Sequence, residues 1–128
     1  MICQNKRAIE DHSVFEGLCV PDREHYAQLF MRPDFYLVEM EQGGKKAHVV
    51  FQVRGRDFVF HLVNFTRFKT RTMTQDFIKN FVKPFCRFRG LDRIEASAER
   101  AGMARKLSRL GFKNVKDNIY RGEVAHVL

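Results

Sequence analysis

The chain has 128 residues and a mass of 15.1 kDa, which is room for one domain spanning 1–128 and one core. Apolar residues make up 45% and charged residues 30%, a globular rather than a disordered balance, with no apolar run near the ~18 residues of a membrane span and no signal-peptide stretch at the N-terminus. Lysine and arginine outnumber the acids 23 to 15, and between Arg67 and Arg109 twelve basic residues stand against four acidic ones, so the excess charge sits in one contiguous third of the chain and points to an anionic partner there.

Residues 1–34 read as a mainly helical N-terminal part, with Met1 to Gln4 as a short first strand. One helix is expected over Ala8 to Leu18. A second begins at Pro21-Asp22, with Asp22 as N-cap and Tyr26, Leu29 and Phe30 on one face. Arg32-Pro33-Asp34 stops it, because the residue before a proline disfavours helix.

Residues 35–65 predict three antiparallel strands. FYLVEME and AHVVFQVR flank Gln42-Gly43-Gly44-Lys45, a two-residue hairpin turn, and Gly55-Arg56 turns the chain again into DFVFHLVNF. Pairing Glu41 with Lys46 sets Met40 opposite Ala47, Val38 opposite Val49 and Tyr36 opposite Phe51, while pairing Arg54 with Asp57 sets Phe51 opposite Phe60. One face is then almost wholly apolar, and a one-residue slip would turn it outward.

Thr72-Met73-Thr74-Gln75 reads as a capping box for a long helix whose stripe is Phe77, Ile78, Phe81, Val82, Phe85 and Phe88. Pro84 is expected to kink or shorten it, and Gly90 to end it. LDRIEAS predicts a strand parallel to DFVFHLVNF, since a helical crossover joins the two. A last helix is expected from Ala98 to Leu110, with Ser97 as N-cap and Met103, Leu107 and Leu110 facing the core. Gly111 ends it with Phe112 packed back on Leu107, and NVKDNIYRGEV follows as a single strand.

The second face of the meander is mixed. It carries Phe35, Leu37, Glu39 and Glu41, then His48, Val50, Gln52 and Arg54, then Val59, His61, Val63 and Phe65. Glu39 lies opposite His48 and His61 lies diagonally from His48, which makes an acid and two imidazoles the best acid–base cluster of the chain. The same pattern suits the polar outer face of a meander. Three scattered cysteines, Cys3, Cys19 and Cys86, suit a reducing, cytoplasmic compartment, with Cys86 in the core, and the histidines lack the spacing of a metal site, so none is expected.

The order of these elements, and above all AERAGMARKLSRLGFKNVKDNIYRGEV with its Leu-Gly-Phe, resembles the GCN5-related N-acetyltransferase superfamily, in particular its short, divergent, phage-encoded members. The resemblance covers about residues 35–124 and implies an α+β fold: a mixed central sheet, an antiparallel three-strand meander plus a parallel crossover strand, with helices on both faces. It implies acetyl-coenzyme A as cofactor and direct attack of an amine on the acetyl group. The backbone around Val63 and Phe65 would meet the pantetheine arm. The family's phosphate loop falls on Arg67, Lys69, Thr70, Arg71 and Thr72, where two threonines replace small residues and three cations stand beside a helix N-terminus. His61 is the implied general base, with Glu39 and His48 orienting it. Arg100 stands where the family carries an asparagine and Leu107 where it often carries an acidic tyrosine; Tyr120 is expected as a half-buried aromatic.

Three functions follow as alternatives. The first is acetyl transfer to an amine-bearing small molecule or protein. The second is a non-catalytic protein on the same scaffold, a virion component or a binder of a host protein. The third is a basic nucleic-acid-binding module, since Arg and Lys alternate with Phe68, Phe85 and Phe88, although Phe85 and Phe88 fall on the core stripe.

Overall fold

Two glycines fix the first hairpin. Gly43 and Gly44 have φ of 57° and 76°, the left-handed pair that a two-residue hairpin turn demands, and they set the register of the strands on either side. The structure, a computed structural model, describes residues 2–3, 6–65, 73–99 and 101–127. Strand β2 (Phe35–Gln42) pairs antiparallel with β3 (Lys45–Arg54), with Glu41 opposite Lys46, Met40 opposite Ala47, Val38 opposite Val49 and Tyr36 opposite Phe51, the register the sequence predicts. A two-residue β1 (Ile2–Cys3) adds to the outer edge of β2. Strand β4 is Asp57–Asn64, and β5, β6 and β7 are Arg93–Ser97, Lys113–Lys116 and Ile119–Glu123. Among the described residues seven strands run in the order β1-β2-β3-β4-β5-β7-β6, a mixed sheet of the α+β class.

The chain divides into two compact units, one of Met1–Gln52 and His61–Thr70, the other of Val53–Phe60 and Arg71–Leu128. In the first unit, Ile9, Val14, Phe15 and Phe30 pack with Phe35, Leu37 and Val50. The mixed face of β2 and β3 is therefore a covered face, not the polar outside of a meander. The N-terminal part covers it with three short pieces: α1 (Arg7–Glu10), a 3-10 turn (Ser13–Phe15) and α2 (Arg23–Phe30). The single helix expected over Ala8–Leu18 is broken at His12, whose φ of 64° lies outside helical space. On α2 the buried residues are Ala27 and Phe30, while Tyr26 is 40% exposed. The side-chain amide of Asn64 on β4 donates to the carbonyls of Val14 and Glu16, both at 2.9 Å, and ties the 3-10 turn to the strand.

In the second unit β4 and β5 run parallel, as the crossover requires, with Asp57, Phe58 and Val59 paired to Arg93, Ile94 and Glu95. The crossover helix has three parts: α3 (Met73–Phe77), a π-helical turn (Ile78–Val82) and α4 (Lys83–Arg89). Pro84 has no N–H to give the carbonyl four residues back, and the helix widens just ahead of it. Phe58 and Phe60 meet Phe85 and Phe77 at ring-centroid distances of 5.8 and 6.2 Å. The wide turn carries the stripe along steps of four, through Ile78, Val82 and Cys86, so Phe88 leaves it and stands 88% exposed. Thr72, the expected cap, lies outside the described residues.

The last helix, α5, is Ala101–Arg109, and Ser97 belongs to β5 rather than to a cap. Leu107 and Leu110 are buried, but Met103, in the open first turn of this shorter helix, is 37% exposed. Gly111, at φ 100°, lets the Phe112 N–H return to the Leu107 carbonyl at 3.0 Å, the expected helix stop. The single terminal strand resolves into the hairpin β6–β7, because Asp117 takes a left-handed φ of 48° and Asn118 completes the turn.

Candidate active site

The acid–base residues expected on the mixed face lie in the first unit. Glu39 and His48 face each other across β2 and β3, and His48 Nε2 is 3.0 Å from Glu39 Oε2. His48 is 5% exposed and Glu39 half-buried, so the bond is partly shielded, and on its open side Lys46 Nζ is 3.6 Å from Glu39 Oε1.

His61 stands on β4 in a second arrangement. Its Nε2 lies 2.8 Å from Oε1 of Gln52, and Gln52 Nε2 donates to Oδ2 of Asp34 at 2.6 Å. Strand pairing explains the meeting, since Gln52 on β3 is opposite Phe35, the residue after Asp34. The His61 ring sits against Phe35 and Phe30, at centroid distances of 4.7 and 6.2 Å. The Gln52 hydrogen bond holds the Asp34 carboxyl below its usual range, with Arg32 and Lys6 acting in the same direction. The Lys6 ammonium also donates to the Arg32 carbonyl, which ties the N-terminal segment to the turn that carries Asp34.

His61 is exposed, and Val63, two residues on along the same side of β4, is 38% exposed. Between and beyond them Leu62 is half-buried and Asn64 buried. Phe65, just past the strand, is half-buried. The strand thus presents an exposed imidazole and an exposed aliphatic side chain on one side, while its other side carries half-buried Leu62 and buried Asn64. Arg67, Lys69, Thr70, Arg71 and Thr72, the expected phosphate loop, lie outside the described residues, as does Arg100. Leu107 is 3% exposed, and Tyr120 is half-buried as expected.

Two members of the arrangement, Gln52 and Asp34, were not read from the sequence as site residues. Gln52 carried a signal: a glutamine in the row of β3 that also holds His48 and Val50 must find partners if that row is buried. Asp34 carried none, because it reads equally well as a helix-ending residue after Pro33.

No family model matches the chain, and no curated protein matches it. Solved structures do. The ribosomal-protein-S18-alanine N-acetyltransferase of Escherichia coli superposes with a TM-score of 0.73 at 11% identity, covering 97% of this chain and 92% of that one. An acetyltransferase of the GNAT family from Staphylococcus aureus Mu50 gives 0.63 at 9% identity, over 93% and 88%. The PaiA N-acetyltransferase of Thermoplasma acidophilum, solved in complex with coenzyme A, gives 0.64 at 7% identity, over 96% and 98%. The chain has the fold of the GCN5-related N-acetyltransferases.

Proposed function

We propose that the chain is an acetyl-coenzyme A-dependent N-acetyltransferase that acts by direct attack of an amine, carried by a small molecule or a protein. The observation that carries the reading is on β4: an exposed, hydrogen-bonded His61 stands two residues before the exposed Val63, on one side of an interior strand of this fold. Exposed side chains along one side of an interior strand fit a ligand that lies along it. The backbone around Val63 and Phe65 would hold the pantetheine arm, and Arg67, Lys69 and Arg71, with the hydroxyls of Thr70 and Thr72, would meet the phosphates. Bound acetyl-coenzyme A supplies the acetyl group as a thioester. His61 would take the proton that the amine loses as the new C–N bond forms, and the thioester C–S bond would break with coenzyme A leaving as a thiolate that takes a proton from solvent. Glu39 and buried His48, paired, would support the strand pair beside it.

Isothermal titration tests the cofactor. The expected result is coenzyme A binding with Kd on the order of micromolar, lost in the triple variant Arg67→Ala, Lys69→Ala, Arg71→Ala. No heat at millimolar coenzyme A refutes the reading.

Buried Leu107 favours a second reading, a non-catalytic protein on the same scaffold, because the position where relatives often carry a proton donor here serves the core. A partner-binding scaffold of this kind would show no rise in melting temperature with coenzyme A, whereas a cofactor-binding enzyme would gain several degrees at a hundredfold excess over Kd. The acceptor class follows from release of the free coenzyme A thiol when polyamines, aminoglycosides and peptides with N-terminal alanine are offered as acetyl acceptors.

A further inference from the structure

We propose that Asp34 and Gln52 are positioning residues that set the tautomer of His61, placing its hydrogen on Nε2 and its basic lone pair on Nδ1. The inference concerns three side chains from three segments: the turn before β2, strand β3 and strand β4.

The logic runs from one end of the chain of bonds. An ionised carboxylate only accepts hydrogen bonds. Asp34 Oδ2 is 2.6 Å from the Gln52 side-chain nitrogen, so the amide must turn its NH2 toward Asp34. That leaves Oε1 facing His61 at 2.8 Å. An amide oxygen also only accepts, so the imidazole nitrogen that meets it, Nε2, must carry the hydrogen. Turning the amide over would set its oxygen against the carboxylate, a repulsive contact that no change of tautomer in the ring could relieve. Gln52 is 9% exposed, so little water is at hand to take up the lost partners. Phe35 and Phe30 hold the plane of the ring. The Glu39–His48 pair is a separate bond between different residues and is not needed to fix this ring. In the acetyltransferase reading, on which this last consequence rests, Nδ1 of His61 is the atom that receives the amine's proton.

The test is nuclear magnetic resonance of the full chain labelled with 15N, reading the imidazole nitrogens by long-range correlation at a pH where the ring is neutral. The wild type is expected to show His61 as the Nε2–H form in roughly tenfold excess or more, the size one net hydrogen bond supports. Asp34→Lys is the decisive variant. An ammonium at that position donates to Gln52 Oε1, turns the amide around and presents its NH2 to His61 Nε2, so the excess should invert to the Nδ1–H form. Gln52→Glu removes the NH2 altogether, and in the double variant Asp34→Lys, Gln52→Glu the Nε2–H form should return. A merely structural role for Gln52 or Asp34 would move melting temperatures without inverting and then restoring a tautomer. Should Asp34→Lys fail to fold, the wild type and Gln52→Glu still decide. An Nδ1–H ring in either overturns the proposal, as does an unchanged Nε2–H ring in folded Asp34→Lys.

The two readings fail separately. Coenzyme A binding together with an Nδ1–H ring in the wild type overturns the tautomer assignment and keeps the enzyme. The predicted inversion in a chain that binds no coenzyme A confirms the assignment and removes the enzyme.

Discussion

Glu95 offers the sharpest test of how the second unit is held. It sits on β5 directly opposite Arg121 of β7 and closes the short parallel ladder with Val59. Its two oxygens accept from Arg121 Nε and Arg54 Nη2, each at 2.9 Å, and its side chain is 12% exposed. A hydrogen bond to a charged group contributes about 1.5–3 kcal/mol when well shielded. The arginine side chains are 50% and 42% exposed, so water recovers part of that when the carboxylate is removed. Glu95→Gln keeps the shape, retains one acceptor and turns an NH2 against the other guanidinium. The expected loss is about 2 kcal/mol, or a melting temperature lower by roughly 8 °C for a chain of this size. The pH dependence has a definite sign. Burial pushes the Glu95 carboxyl up, but the bonds from Arg121 and Arg54 outweigh it and hold the group below its usual 4.5. A depressed carboxyl contributes its stability above the unfolded value and loses it as pH falls through the folded one. Thermal melts followed by circular dichroism should therefore show a constant gap between wild type and variant from pH 7 to about 5, closing below about 4. A gap under about 2 °C at pH 7, or one that persists to about pH 2, refutes the account.

Three further outcomes follow from local geometry. A Cβ at Gly122 would lie 2.4 Å from Val127 Cγ1 and 3.4 Å from the Phe112 ring, so Gly122→Ala should cost about 1–3 kcal/mol in a urea titration, and an unchanged midpoint would contradict that packing. Burial pushes the Cys86 thiol up to about 12, whereas Cys19 is exposed, so a thiol reagent at pH 8 should label Cys19 at once and Cys86 only on unfolding, a pattern that peptide mass mapping reads directly. Phe88, exposed between Arg87 and Arg89, should tolerate Phe88→Ser within about 0.5 kcal/mol, and if this face binds single-stranded RNA the same change should weaken binding roughly tenfold, in an interaction that falls steeply with salt.

The hairpin β2–β3 was legible because three independent signals agree there. Two glycines demand one turn, the alternation of Val38, Met40, Val49 and Phe51 demands one register, and the end charges Glu41 and Lys46 meet only in that register. The parallel strand and the Leu-Gly-Phe stop were legible for similar reasons, each resting on a backbone rule with few alternatives. Where a single signal acted alone, reading failed. The stripe from Phe77 was extended to Phe88 on a regular helical period, but one proline widened the turn and moved the period to steps of four. Asp117 and Asn118 are turn-formers inside an otherwise strand-like run, and the left-handed φ of Asp117 lets them break it into a hairpin.

The site divides along the same line. Glu39 and His48 could be paired in advance because strand register alone puts them opposite each other. His61 could be nominated but its partners could not, since Gln52 must find partners only where the mixed face is covered, and the covering segment is broken at His12, which no sequence period announces. The covering segment also decides what a polar side chain on that face must do. Under water, Gln52 would need no partner; at 9% exposure it needs one at each end, and the two at hand are a carboxylate and an imidazole.

The charge that first suggested an anionic partner can now be apportioned. Arg93 is bound to Asp57 at 2.8 Å, Arg56 to Asp92 at 2.8 Å, and Arg89 stacks over the Phe85 ring at 5.6 Å. These cations tie strand ends and a helix within the second unit, so their charge is answered by the fold itself. Arg87, Arg105 and Arg109 are exposed on α4 and α5, on surfaces where the core residues Phe85, Cys86, Leu107 and Leu110 point the other way. A fold that needs Arg93 and Arg56 for its strands does not need these three for its stability, since exposed charges with no close partner contribute little. Arg87 adjoins the exposed Phe88 in sequence, a cation beside an aromatic ring that the core does not use. Under the proposed function a cofactor with a few phosphates accounts for Arg67, Lys69 and Arg71, which leaves Arg87, Arg105 and Arg109 as the place to look for an acidic acceptor or a nucleic-acid strand.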